Sequence, residues 1–419
     1  MRRRTVFAAL GAAASASALA ACGSDKDEPT ATPSKDKGNG KLVIWADTKR
    51  TAVLKKYADQ FGKDNGVTVE VKEISENLQQ VFVTASQQGS GPDVVVGAHD
   101  WIGNLVQNGA IDPVQLSAQQ KSLFAAAAVK AVTFNGQIYG APYALENIAL
   151  VRNTDLVPTA PASIEDLVKA GQDLKKSGKV SEILLDQCGA SGDAYHIYPI
   201  YSSGGGSLFG LTSAGDPDPN NVTVNSADSI AAFTKLKELG EKGSGALKTS
   251  IAAENVVATF TAKKAAFFIT GSWNIADIKK AGIKYDITPI PGFAGGKPAQ
   301  PFLGVQAFFV ASKGKSKAMA QEFVANYVTN KEVANALYAA DPRPPALLAA
   351  QDDAKTADPD VAKWLDAGKD GLPMPAIPAM NEIWGPFGNA EVAVIKGGDP
   401  KTAADAAAKA INDAIAKKK

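Results

Sequence analysis

Leu42-Val43-Ile44-Trp45-Ala46 is an unbroken apolar run, the pattern of a strand covered on both faces. The period then changes: Val53, Leu54, Tyr57, Ala58 and Phe61 recur at helical spacing and predict an amphipathic helix. Val67, Val69 and Val71 alternate with polar residues as a second strand, and Leu78, Val81, Phe82 and Ala85 make a second helical face. Gly91-Pro92 breaks the chain before Asp93-Val94-Val95-Val96-Gly97. Strand, helix, strand, helix, strand predicts βαβ units, with a parallel sheet flanked by helices. Further on, Ala265–Ile269 and Ala307–Val310 read as buried strands, and Glu182–Asp186 as a strand running into Cys188. From about residue 316 the pattern is helical, with Ala320, Phe323, Val324 and Tyr327 on one face. Thr402 to Lys417 predicts an Ala-rich helix whose final lysines suit its C-terminal dipole. No repeat of 20–50 residues interrupts this texture. The class is α/β.

The amino end has a different pattern. Arg2-Arg3-Arg4 precedes a weakly apolar run from Val6 to Ala20 that ends in Leu19-Ala20-Ala21-Cys22. A basic region, a short apolar region and small residues before a cleavage point make an export signal. The run is too short and too rich in Ala, Gly and Ser for a membrane span, which needs ~20 apolar residues. Cys22, placed just after Leu-Ala-Ala, resembles a bacterial lipobox cysteine, which implies removal of residues 1–21 and lipidation of Cys22. Arg3-Arg4-Thr5-Val6-Phe7 fits a twin-arginine motif as well as a plain basic region, so the export route stays open. Residues 23–40 contain one apolar residue, Ala31, and are expected to form a disordered tether after Cys22. Its r.m.s. span would be roughly 20–25 Å. The expected location is the outer face of the cell membrane, held there by the lipid anchor.

A chain of 419 residues suggests two or three domain-sized units. Net charge is +1 and falls to about −2 once the three leading arginines are removed. With no basic stripe, nucleic acid is not an expected partner. Cys188 is alone once Cys22 is modified, so no disulfide forms within the mature chain, and a buried inert thiol is expected. The only histidines, His99 and His196, lack any metal-ligand spacing. Ser203-Gly204-Gly205-Gly206 lacks the Lys-Ser/Thr of a phosphate loop and reads as a turn. No cofactor and no metal are expected.

Ligands of open parallel sheets bind beyond the carboxyl ends of the strands. The residues there are Asp47, Lys49 and Arg50 after the first run, then His99, Asp100 and Trp101 after the third. Glu146 follows Ile138–Tyr143, Trp273 follows Phe267–Ile269, and Trp384 follows the Pro-rich Met374–Pro378. Carboxylates and large aromatics therefore recur where a cleft would lie. Sugars use both, hydroxyls on ionised carboxylates and C–H faces on rings.

At these residues the chain resembles the maltose/maltodextrin-binding protein family, sugar receptors of ABC importers. The matching segments are Lys41–Trp45, Gly91–Val95, Ala98-His99-Asp100, Tyr143–Glu146, Asp193-Ala194-Tyr195, Gly271-Ser272-Trp273, Phe302–Val305 and Met374–Pro378 through Trp384. They keep their order and near-constant spacing. The resemblance implies a two-lobed periplasmic-binding-protein-like fold, each lobe a mainly parallel sheet flanked by helices, with the ligand cleft between them. One lobe would take 41–147 with 303–357, the other 148–302 with 358–419. Crossings at Glu146–Ile148 and Phe302-Leu303 would serve as hinges. The implied function is capture of a gluco-oligosaccharide, of maltose/maltodextrin or trehalose type, and delivery to the permease subunits by a monomer.

Carried over by position, Asp100 and Glu146 match carboxylates that accept sugar hydroxyls, and Asp193 replaces a glutamate of that role. Tyr195, Trp273 and Trp384 match aromatic platforms, Ala98 is expected at the site from the matching segment Ala98-His99-Asp100, and Arg50 stands for a lysine. Lys49 replaces a carboxylate, Gly97 a stacking tryptophan, and Trp101 and Gly388 each an arginine. Asp47 and Trp101 are expected to supply the lost carboxylate and the lost ring. The alternative is a lipid-anchored glycoside hydrolase using Asp100, Glu146 and Asp193, which would need two carboxyls at a defined separation and one raised pKa. The resemblance favours a binding protein over an enzyme.

Overall fold

The computed structural model describes residues 40–213 and 215–418; the export segment, Cys22 and the tether up to residue 39 lie outside the described residues. β1 (Lys41–Ala46) is the expected strand, with Leu42, Ile44 and Ala46 fully buried. Asp47 ends it and caps α1 (Thr48–Asn65), accepting from the Arg50 amide at 3.0 Å. That satisfies a donor otherwise left free in the first turn. Leu54, Tyr57, Ala58 and Phe61 form the buried face of α1, and Gly66 closes it at φ +66°, a left-handed conformation suited to glycine. β2 (Thr68–Glu73), α2 (Leu78–Gln87), β3 (Val94–Ala98) and α3 (Trp101–Gln107) follow in the predicted order.

β4 (Gly140–Glu146) is separated by Asn147 alone from β5 (Ile148–Asn153), yet the two lie in different sheets. Around the second sheet come α4 (Ile164–Lys176), β6 (Leu185–Asp186), α5 (Ala194–Ser203), β7 (Phe267–Gly271) and β8 (Tyr285–Thr288). β9 (Phe302–Ala311) returns to the first sheet, and α6 (Lys331–Ala340) packs against α1. β10 (Leu372–Pro373), α7 (Trp384–Ile395) and α8 (Pro400–Lys417) complete the chain, with α8 capped by Asp399 on the Thr402 amide at 2.8 Å.

The first sheet runs β10-β9-β3-β1-β2, with β4 also paired to β9; the second runs β8-β5-β7-β6. Each has its own apolar core. Leu42 to Ala144 joins Val305 to Ala350 in one, and Ile148 to Phe302 joins Met374 to Ile415 in the other. A third cluster, including Phe268 and Trp364, also packs on the second sheet.

The α/β class holds, but the sheets are mixed rather than mainly parallel. β2-β1-β3 is parallel, whereas β9 runs antiparallel to both β3 and β4. In the second sheet only β7 with β6 is parallel. Unbroken apolar runs report burial on both faces, and an antiparallel strand covered on both faces, such as β9, reads the same way as a parallel one. Direction follows from connectivity: β9 enters the first sheet from the second and so opposes β3 and β4, while β10, reached later, runs parallel to it. Two elements are also shorter than expected. The strand before Cys188 is only Leu185–Asp186, and the helix after residue 316 gives way at Phe323–Tyr327 to a wider π turn. Among the described residues no helix is long and apolar enough to cross a membrane.

Candidate functional site

The ends of both sheets open on one cavity of about 340 Å³. One wall comes from the first sheet: Ala98 ends β3, Asp100 and Trp101 start the turn into α3, and Glu146 ends β4. Arg343 joins them from the Asp341-Pro342-Arg343-Pro344-Pro345 segment after α6. The facing wall holds Tyr195 in the first turn of α5, Trp273 in a short turn after β7, Met374 after β10, and Trp384 at the start of α7.

Glu146 holds a hydrogen bond on one oxygen and an ion pair, outside hydrogen-bond geometry, on the other. Its Oε1 accepts from Gln306 Nε2 at 3.1 Å, and its Oε2 lies 2.5 Å from Arg343 Nε. Arg343 also pairs with Asp341, whose Oδ2 accepts from Arg50 Nη2 at 3.2 Å. Arg50 in turn pairs with Asp47 and donates to the Tyr143 hydroxyl. A relay of charge thus runs Arg50, Asp341, Arg343, Glu146, and only its last two members reach the cavity. From there the Arg343 guanidinium carbon sits 5.0 Å from the Trp273 ring centroid, a cation–π distance.

Asp100 and Tyr195 present polar atoms without a hydrogen-bond partner among the described residues, Oδ1 and the hydroxyl respectively. Burial, with the Glu146 charge adding to it, pushes the Asp100 carboxyl up to about 7. Burial likewise raises the Tyr195 hydroxyl. Buried polar groups are normally satisfied, so these two mark where a polar ligand would bind. The aromatic wall is braced from behind by Phe302, which stacks on Tyr198 at 4.0 Å and contacts Tyr195 and Trp384 at 6.2 Å each.

Of the expected site residues, Ala98, Asp100, Trp101, Glu146, Tyr195, Trp273 and Trp384 line the cavity. Asp47, Arg50 and Asp193 do not. Asp47 is spent on the α1 cap and on Arg50, and Arg50 on the relay behind the wall. Asp193 caps α5, accepting from the His196 amide at 3.1 Å and also from the Gln187 side chain. Burial works against the Asp193 anion, but hydrogen bonds led by the His196 side chain outweigh it and hold the carboxyl low. Its own amide donates to Glu391 at 3.0 Å. A cap and a cleft ligand look alike in sequence, since both place a carboxylate just after a strand or loop.

Arg343 and Met374 line the cavity without having been expected there. Arg343 carried one sequence signal, an arginine held among three prolines in a loop, where rigid backbone presents a side chain. His99 is buried; its Nδ1 accepts from the Val305 amide at 3.1 Å, so Nε2 carries the proton given to the Met374 carbonyl at 3.0 Å. Cys188 is a buried free thiol whose pKa burial raises. Among the described residues no group of three His, Cys, Asp or Glu side chains is arranged to hold a metal ion.

A family model described as bacterial extracellular solute-binding protein matches residues 56–367. The chain is 29% identical over 410 residues to a galactooligosaccharide-binding protein of Bacillus subtilis, covering 93% of this chain and 92% of that one. It is 28% identical over 391 residues to a maltodextrin-binding protein of the same organism, covering 90% and 89%. A maltooligosaccharide ABC transporter solute-binding lipoprotein of Streptococcus pneumoniae (strain R6) is 28% identical over 419 residues, covering 96% and 94%.

Proposed function

From a chain that belongs to the bacterial extracellular solute-binding proteins, we propose a sugar receptor that binds a neutral gluco-oligosaccharide and delivers it to an ABC permease. One observation carries the reading. Two carboxylates, three tryptophans and a tyrosine converge from two separate sheets on one cavity. Trp273, Trp384, Tyr195 and Trp101 offer faces for sugar C–H groups. Asp100 and Glu146 accept hydroxyls, and Tyr195 can donate one.

The charges favour an uncharged ligand. Glu146 is matched by Arg343, and Asp100 is only partly ionised near neutrality. The relatives' names support an oligosaccharide, of galactose as well as glucose units. Maltodextrin or trehalose type remains the first choice on the resemblance of the site residues.

The separate cores support two lobes, 41–147 with 303–357 and 148–302 with 358–419, hinged at Glu146–Ile148 and Phe302-Leu303. Closure about such short crossings buries a ligand. Lipidation at Cys22 would keep this monomer beside its permease, as the name of the pneumococcal relative suggests.

A hydrolase using Asp100, Glu146 and Asp193 fits less well, because Asp193 is held in the α5 cap and Glu146 in the Arg343 pair. Long incubation with maltotriose separates the two readings. A receptor returns the sugar intact after saturable binding; release of glucose or maltose would make the protein an enzyme.

A further inference from the structure

Two tryptophans on opposite walls of the cavity share one local arrangement. The indole of Trp101 folds back over Gly97 in β3, and that of Trp273 folds back over Gly271 at the end of β7. A Cβ built on Gly97 would lie 2.1 Å from Cζ3 of Trp101, and one on Gly271 would lie 2.1 Å from Cζ3 of Trp273. At both positions the three nearest atoms all belong to the indole, none of them beyond 2.7 Å. The backbone itself would admit a side chain, since Gly271 is extended at φ −100° and Gly97 is not in the left-handed region. What each glycine provides is clearance for the ring.

We propose that Gly97 and Gly271 are specificity-determining residues of the cleft. Each withholds a side chain so that a tryptophan can lie back against its strand end, which sets the room left for a sugar between the walls. This rests on the sugar reading above. It also makes one exchange of two differences from the resembled family. A side chain at position 97 and the indole of Trp101 compete for the same space, so glycine at 97 and a ring from four residues on belong together.

Both glycines act through their tryptophans, so the test is a pair of double-mutant cycles in the full-length protein. The variants are Gly97→Ala, Trp101→Ala and their combination, then Gly271→Ala, Trp273→Ala and theirs. Indole emission of the empty protein, thermal midpoint and calorimetric affinity for maltotriose are read for each. Gly97→Ala should shift the emission and weaken maltotriose on the order of tenfold, the loss of one well-packed aromatic contact. In the Trp101→Ala background it should change neither affinity nor midpoint, and this non-additivity identifies the ring as the obstacle. A glycine substitution that destabilises the chain should be rescued by removing its tryptophan. Unchanged emission and affinity in both single glycine variants, or equal cost with and without the tryptophan, would overturn the proposal. If the unaltered protein ignores maltotriose, the glucose-type reading fails, while emission and midpoint of the empty variants still decide the role of the glycines.

Discussion

The guanidinium of Arg343 lies over the indole of Trp273, 5.0 Å from its centroid, and so joins the wall built on the first sheet to the wall built on the second. The same side chain neutralises Glu146 and Asp341.

Replacing Arg343 by Ala leaves two largely buried carboxylates without that partner. Their side chains are 9% and 3% exposed, against 15% for the arginine. Breaking such a pair should cost about 3–5 kcal/mol, read from the urea midpoint. Arg343→Lys should recover less than half, because a point charge cannot bridge both partners as the planar fork does. An unmoved midpoint in Arg343→Ala would show that the relay contributes nothing to stability.

Asp193 separates a capping role from a ligand role. Asparagine is as good a cap as aspartate, so Asp193→Asn should leave sugar affinity nearly unchanged, whereas Asp193→Ala should lose about 1 kcal/mol of stability. A Asp193→Asn variant that no longer binds sugar would place this carboxylate in the site after all.

Asp100 titrates near neutrality because it is buried beside Glu146, its carboxyl raised to about 7. The ionised form accepts hydroxyl hydrogen bonds more strongly than the neutral form. Affinity should therefore rise as pH goes from 6 to 8, and the slope should vanish in Asp100→Asn. A flat profile in the unaltered protein would remove Asp100 from direct contact with the sugar.

Glu391 on α7 gives a stability effect of opposite sense. It is fully buried, and burial raises its carboxyl to about 8, with the Asp193 charge adding to this. Between the ordinary glutamate value and about 8 the folded chain holds a proton that the unfolded chain releases. Stability from this group therefore falls as pH rises through that window. Glu391→Gln should raise the thermal midpoint at pH 8.5 and leave it nearly unchanged at pH 4.5. A midpoint lowered equally at both would point to the Asp193 amide contact as the dominant role of this side chain.

Periodicity revealed the elements well and their directions poorly. The run Leu42–Ala46, the helical face Leu54–Phe61 and the alternating Val67–Val71 all report burial, and each lies where expected. The antiparallel course of β9 depends on which sheet the chain has just left, which no local pattern encodes. At the site, residues after strand ends were legible because the ends of both sheets meet at the cavity. Asp47, Arg50 and Asp193 occupy the same kind of position yet serve their own helix turns or the relay behind. Arg343 reaches the cavity from a loop 197 residues beyond Glu146 in sequence, through a pairing visible only after folding.

Calorimetric titration of the soluble chain from residue 41 tests the central claim most directly, using maltose, maltotriose, trehalose, cellobiose, glucose and a galacto-oligosaccharide. The cavity predicts saturable one-to-one binding of at least one neutral oligosaccharide, weakened by about 1–3 kcal/mol in Trp384→Ala. Silence across the whole panel, or a Trp384→Ala variant that binds as tightly as the unaltered chain, would contradict it.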